Sequence, residues 1–232
     1  MILGQRSVER VERSNSGILE PFETPALRWL AARTPDWVTP NVLTAIGFLG
    51  ALGVFASYAL SKGYPALLWG ASAGLFVNWL GDSLDGTLAR YRGIERPRYG
   101  FYLDNAIDVP EQLLLALGLA LSGIFRVELA LLGLIAFYMM SILTLIRAKT
   151  VGEFTLAYVG LGTTELRLLI AVINTLVFFF PPQRFSILGV STTYPNVLSA
   201  VWIVATLMTF LISMIGDLRK LAVEDPPHSQ LH

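Results

Sequence analysis

Asp82-Ser83-Leu84-Asp85-Gly86-Thr87-Leu88-Ala89-Arg90 and, after a gap of nine residues, Gly100-Phe101-Tyr102-Leu103-Asp104-Asn105-Ala106-Ile107-Asp108 place four carboxylates in an otherwise apolar chain. A carboxylate at membrane depth costs about 3 kcal/mol on insertion scales. Four together repel one another unless a cation lies among them. Asp82 and Asp85 are spaced i,i+3, and Asp104 and Asp108 i,i+4, so each pair shares one face of its helix. Two such helices face to face would bring four carboxylates to one hard cation. The spacing predicts a metal site with a catalytic role.

The chain around this stretch is suited to lipid. Of its 232 residues, 54% are hydrophobic and 15% charged, and the mean hydropathy of +0.59 is too high for a soluble domain. A spanning helix needs roughly 20 mostly apolar residues. Six stretches qualify: 42–61, 65–89, 101–123, 127–147, 166–182 and 195–216. The aspartates disguise the ends of the second and third; the fifth is short and closes on Phe178-Phe179-Phe180-Pro181-Pro182. Turn signals fall between them at Lys62-Gly63-Tyr64-Pro65, Gly93 with Pro97, Ser122-Gly123, Gly160 with Gly162, and Pro181-Pro182. The expected fold is an all-α integral membrane protein with six transmembrane helices.

Basic residues set the orientation. With the N-terminus inside, 14 of the 17 Lys and Arg residues lie on the inner side, leaving Lys62, Arg126 and Arg184 outside. The aspartates and both termini are therefore expected to face the cytoplasm. Ahead of the first span, Gly17 to Arg33 mixes apolar residues with Trp29 and basic residues. It reads either as an amphipathic helix along the interface or as a partly ordered tail, since Pro21 and Pro25 weaken its start. The expected organisation is a tail and interfacial helix over 1–38, one catalytic membrane domain over 39–220, and a solvated tail over 221–232. The opening ten residues lack the apolar run of a signal peptide, which points to a prokaryotic inner membrane.

The absence of cysteine, and the confinement of histidine to His228 and His232, exclude a thiolate or histidine-based zinc site. Oxygen ligands favour magnesium, manganese or calcium. A formal net charge of zero implies no polyanionic partner, so no nucleic acid is expected.

Gly86 lies on the Asp82 face and Ala89 follows along it, while Gly100 sits one turn before Asp104. Small residues there admit a nucleotide base or pyrophosphate close to the backbone, or let two helices pack tightly. Arg90 can pair with a phosphate or the carboxylates, or snorkel at a helix end. Glu111, one turn beyond Asp108, reads as an extra acidic contact for acceptor or metal, or as a hydrogen-bonded polar residue of the bundle. Arg147 and Lys149, with Glu165 and Arg167, form a second polar knot at the same side. Its cations can bind an anionic acceptor or lipid phosphate; ordinary inside charge, or a Glu165–Arg167 ion pair, is the alternative.

The run Asp82-x2-Asp85-Gly86-x2-Ala89-Arg90-x9-Gly100-x3-Asp104-x3-Asp108 resembles the signature of the CDP-alcohol phosphotransferases, integral membrane enzymes of phospholipid synthesis. Thr39-Pro40-Asn41-Val42-Leu43-Thr44 is similar to the opening of that family's first transmembrane helix. The strong match covers 39–110; the nine-residue gap falls where the motif varies in length.

The resemblance implies roles for these positions. Asp82, Asp85 and Asp104 would hold one or two magnesium or manganese ions that bridge the pyrophosphate of a CDP-linked donor. Asp108 would touch the second ion and act as general base on the acceptor hydroxyl. Gly86, Ala89, Arg90 and Gly100 would shape the CDP pocket, with Pro40, Asn41 and Thr44 near the cytidine. The resemblance also implies the interfacial N-terminal helix and a homodimer. Two reactions share this chemistry: transfer of a phosphatidyl group from CDP-diacylglycerol to a small alcohol, and transfer of a head group from a soluble CDP-alcohol to a lipid hydroxyl. A cation transporter is the reading from another class, disfavoured because the aspartates cluster at one end without inverted repeats.

Overall fold

The computed structural model describes residues 12–14, 18–150, 153–155, 162–187 and 189–226. The charged opening ten residues, the turn signal at Gly160 and both histidines lie outside them. Seven helices carry the described chain: α1 (Glu20–Ala31), α2 (Pro40–Ser61), α3 (Leu67–Tyr91), α4 (Pro97–Leu121), α5 (Val127–Thr150), α6 (Thr163–Phe179) and α7 (Tyr194–Glu224). Four three-residue strands, which the sequence reading did not anticipate, join them. β1 (Glu12–Ser14) pairs in parallel with β2 (Glu153–Thr155). β3 (Phe185–Ile187) and β4 (Val190–Thr192) form an antiparallel hairpin closed through Gly189 at φ 80°.

Local chemistry explains the helix limits. Thr39 caps α2 by accepting the Val42 amide at 3.3 Å, and Pro40 occupies the first turn, where its missing N–H costs nothing. Gly93, at φ 65°, ends α3: its own amide bonds to the Arg90 carbonyl at 3.2 Å and the Ile94 amide to the Ala89 carbonyl at 3.0 Å. The chain then enters α4 at Pro97, so a short turn separates the helix that carries Asp82 and Asp85 from the one that carries Asp104 and Asp108. The interfacial or tail segment is helical. Pro21 lies in the first turn of α1, and its Leu27 and Ala31 bury against Val38, Leu43, Leu84 and Leu88.

Backbone-to-backbone contact joins α2 and α3. A Cβ at Gly81 would lie 2.5 Å from both the Gly47 amide nitrogen and the Leu43 carbonyl oxygen; one at Gly50 would lie 2.6 Å from the Asn78 nitrogen. A Cβ at Gly74 would lie 3.0 Å from the Gly50 carbonyl oxygen. In lipid, where apolar burial gives little drive for helix pairing, such close approach supplies the attraction. Farther along, Val54, Leu68, Ala71, Leu75, Ile170 and Ile173 build an apolar core among α2, α3 and α6. Tyr58 donates to Asn174 Oδ1 at 2.7 Å, and Asn174 Nδ2 donates to Ser72 Oγ at 3.1 Å, leaving those buried polar groups satisfied.

The exterior is apolar. Leu131, Ile135 and Ile142 of α5, and Val201, Val204 and Ile212 of α7, are exposed, the reverse of a soluble protein. Among the described residues, α2, α5 and α7 are long and apolar enough to cross a membrane. At 25 residues each, α3 and α4 are also long enough, but their charged residues dilute their hydropathy; α6, at 17, is shorter.

Arg92 fastens the loop between α1 and α2 to the end of α3. Its guanidinium donates to the carbonyls of Val38 at 2.6 Å and of Thr34 and Pro35 at 2.9 Å. Arg92→Ala is expected to cost about 2 kcal/mol, read as a lower thermal unfolding midpoint in detergent. Arg92→Lys should recover little of it, because an ammonium lacks the planar fork.

Candidate functional site

The Gly47, Gly50, Gly74 and Gly81 contacts draw α2 so close to α3 that Thr44 of α2 donates to Asp85 Oδ2 at 2.5 Å. Asp85 is thereby buried, with 7% of its surface exposed. Asp82, one turn earlier, stays partly open. Its Oδ2 takes a 3.0 Å ion pair from Arg167 Nη1 of α6. Facing them, Asp104 and Glu111 of α4 line the same cavity as Thr44, Asp82 and Asp85. Asp108, between them on α4, lies within electrostatic reach of Asp82, Asp104, Glu111 and Arg167. Carboxylates from two helices thus gather in one place: the i,i+3 and i,i+4 spacings set which residues share a helix face, and the tertiary packing brings the two faces together.

Among the described residues, no group of three or more Asp, Glu, His or Cys side chains is arranged so as to hold a metal ion. The donor chemistry nonetheless fits a hard cation. Asp82, Asp85 and Asp104 present only oxygen to a shared cavity, and no nitrogen or sulfur ligand is at hand to favour a softer metal.

The other sequence-singled residues divide. Pro40 opens α2, and Asn41 Nδ2 donates to Tyr99 Oη at 3.2 Å, tying the α2 start to the α4 start. Arg96 stacks over that Tyr99 ring at 3.7 Å. Arg90 is exposed and reaches back to Thr87 Oγ1 at 3.2 Å, its guanidinium covering Gly86, where a Cβ would meet it at 3.3 Å. Ala89 is half-buried and Gly100 borders open space. Neither Gly86 nor Gly100 packs helix backbones together; Gly47, Gly50, Gly74 and Gly81 do that. Glu111 is 5% exposed and accepts from Asn78 Nδ2 at 2.8 Å.

Of the second polar knot, Arg167 reaches the cluster directly, at Asp82. Arg147 pairs with Asp217 of α7 at 3.0 Å, and Lys149 is exposed near the end of α5. Glu165 caps α6, accepting the Gly162 amide at 2.8 Å and the Leu19 amide at 3.0 Å, and so pins the start of α1.

Asn78 escaped the sequence reading. Its amide nitrogen also donates to the Gly47 carbonyl at 3.2 Å, so a single side chain joins α2, α3 and α4 beside the cluster. The signal was available: a lone amide one turn before Asp82, on the same face, in an apolar run. Arg92, Tyr99 and the Trp79 Nε1 to Glu23 bond of 2.9 Å were missed for another reason, since their partners are 54 or more positions away.

The family model described as CDP-alcohol phosphatidyltransferase matches residues 37–202. Archaetidylinositol phosphate synthase of Pyrococcus horikoshii is 37% identical over 139 residues, covering 60% of this chain and 70% of that protein. Cholinephosphotransferase 1 of Gallus gallus is 29% identical over 117 residues, 47% of this chain but only 34% of that longer protein. The crystal structure of Mycobacterium tuberculosis phosphatidylinositol phosphate synthase with CDP-DAG bound shares the fold, with a TM-score of 0.53 at 24% identity over 82% of this chain and 90% of that one. The extent of the family match, together with the archaeal relative, places this chain in the CDP-alcohol phosphatidyltransferase family, the membrane transferases of phospholipid synthesis.

Proposed function

We propose that this protein transfers the phosphatidyl group of a CDP-linked lipid such as CDP-diacylglycerol to a small alcohol and releases CMP. The observation carrying this reading is the opening of Asp82, Asp85 and Asp104 onto one cavity between α3 and α4, with Thr44 of α2 at its edge. The names of the archaeal and mycobacterial relatives favour an inositol phosphate acceptor. Transfer of a head group to a lipid hydroxyl is the second reading, favoured only by the shorter match to the avian cholinephosphotransferase.

In this mechanism Asp82, Asp85 and Asp104 would hold one or two magnesium or manganese ions, with Asp108 as a further ligand. Bound there, the ions supply charge neutralisation on the pyrophosphate and the leaving oxygen. The acceptor hydroxyl gives its proton to an Asp108 oxygen as its own oxygen bonds to the lipid-linked phosphorus, and the bond from that phosphorus to the CMP oxygen breaks. Gly86, Ala89, Arg90 and Gly100 border the nucleotide, with Pro40, Asn41 and Thr44 toward the cytidine. Holding donor and acceptor in line lowers the entropic part of the barrier. Glu111 and Arg167 flank the acceptor side; Arg147, Lys149 and Glu165 act at its edge or through packing.

The proposed catalytic unit spans 39–220, with α2 to α7 as six crossings, the aspartate end at the cytoplasmic face and two copies forming a dimer. The helix α1 lies along the interface, supported by the exposure of Ile18, Phe22, Trp29 and Trp37 around it.

Purified protein offered CDP-diacylglycerol with a panel of alcohols, and CDP-choline or CDP-ethanolamine with diacylglycerol, tests the reading by CMP release. CMP from the first set alone is expected. CMP from the second set alone reverses donor and acceptor, and none from either removes the transferase assignment. Chelation should bring CMP release to background and added magnesium or manganese should restore it; turnover in chelator would remove the metal.

A further inference from the structure

Arg167 is the basic side chain that the structure brings into the carboxylate cluster, and its surroundings are unusual for a cation. It sits one turn into α6, with 9% of its side chain exposed. It lines an inner cavity with Asn78, Glu111 and Leu75, and its Nη1 reaches out to Asp82 Oδ2 at 3.0 Å. Glu111 borders both that inner cavity and the outer one shared by Asp82, Asp85 and Asp104. The Arg167 charge also acts on Asp108 and Glu111. One guanidinium therefore balances several crowded carboxylates at once.

A buried guanidinium needs an anion, and crowded carboxylates need a cation. Each meets the other's need here. The same contact ties up the carboxylate that the proposed mechanism assigns to the metal. Arg167 holds Asp82 through Oδ2, and a divalent ion taking the same carboxylate as a ligand would repel the guanidinium, so each cation weakens the other's hold on it.

We propose that Arg167 is an internal counter-ion that competes with the divalent cation for Asp82, so that cation binding is coupled to release of the guanidinium. The proposal rests on the reading of Asp82 as a metal ligand. It makes Arg167 a positioning residue that stabilises the cation-free state and sets how much cation the enzyme needs. Removing it should weaken the cation-free protein and tighten cation binding together, a pairing that a purely structural ion pair would not give.

The test measures manganese binding to full-length protein in detergent by calorimetric titration, and thermal midpoints with and without manganese. Arg167→Gln is expected to bind roughly tenfold more tightly, with a lower midpoint without manganese and a larger rise on adding it. Arg167→Lys keeps the charge but loses the fork; it should bind about threefold more tightly, and it decides the question if the Gln variant does not fold. Equal or weaker binding in these variants, or the same fall in midpoint with and without manganese, overturns the competition. Asp82→Asn separates the two levels: if it binds manganese as wild type does, Asp82 is no ligand and the mechanism beneath the proposal falls with it.

Discussion

Asp108→Asn is expected to lower CMP release by roughly 10²- to 10⁴-fold, the range for loss of a general base, while the protein stays folded in the membrane. Asparagine keeps the shape of the side chain and removes its capacity to take a proton. The change should not destabilise the fold. Asp108 lies within reach of the charges of Asp82, Asp104 and Glu111 as well as of the Arg167 guanidinium, and relief of three repulsions offsets the loss of one attraction. A thermal midpoint at or above that of wild type is therefore expected alongside the lost turnover. Manganese binding measured on the same variant divides the residue's two proposed roles. Binding kept with turnover lost assigns proton transfer, whereas loss of both assigns ligation. Full activity in Asp108→Asn would contradict the base.

Gly81→Val should be the most damaging change outside the carboxylates. Its Cβ would lie 2.5 Å from the Gly47 nitrogen and Leu43 carbonyl oxygen, and both are backbone atoms that no rotamer change can move. The helices must part, at a cost of about 3 kcal/mol or more. Parting them also stretches the 2.5 Å contact from Thr44 to Asp85, so turnover should fall along with the midpoint. Gly53→Ala on the opposing helix, α2, is the control. Nothing lies within 4 Å of its Cβ position, and alanine favours a helix over glycine by about 1 kcal/mol. An unchanged midpoint in Gly81→Val would mean that the close approach of α2 and α3 does not hold the site.

Much of this architecture was readable along the chain. The apolar stretch 42–61 became Pro40–Ser61 and 65–89 became Leu67–Tyr91, because hydropathy and flanking turn residues act locally. The last stretch, ending at 216, continues in the structure to Glu224. Its apolar run gives way to residues such as Leu218 and Leu221 among charges, which hydropathy alone does not follow. The carboxylate spacing was readable for a similar reason, since helical periodicity fixes which residues share a face of one helix.

Glu165 and Arg167 show where that reading stops. Two residues apart, they suggested a pair, yet the i,i+2 spacing turns them to different sides of α6. Glu165 went to the backbone of Leu19 and Gly162, and Arg167 to Asp82. Likewise the small residues beside the aspartates drew notice, while the glycines that bring α2 and α3 together looked like ordinary members of apolar runs.

The sequence by itself determined the lipid-suited helices, the acidic faces of α3 and α4, and the family that the chain belongs to. The tertiary structure alone decided which cation sits among the carboxylates, which glycines seal the helix pair, and which polar groups became caps and clamps. Periodicity is a property of one helix and survives in a string of letters. A partner 85 positions away is chosen by how helices cross, and that depends on the packing of every side chain between them.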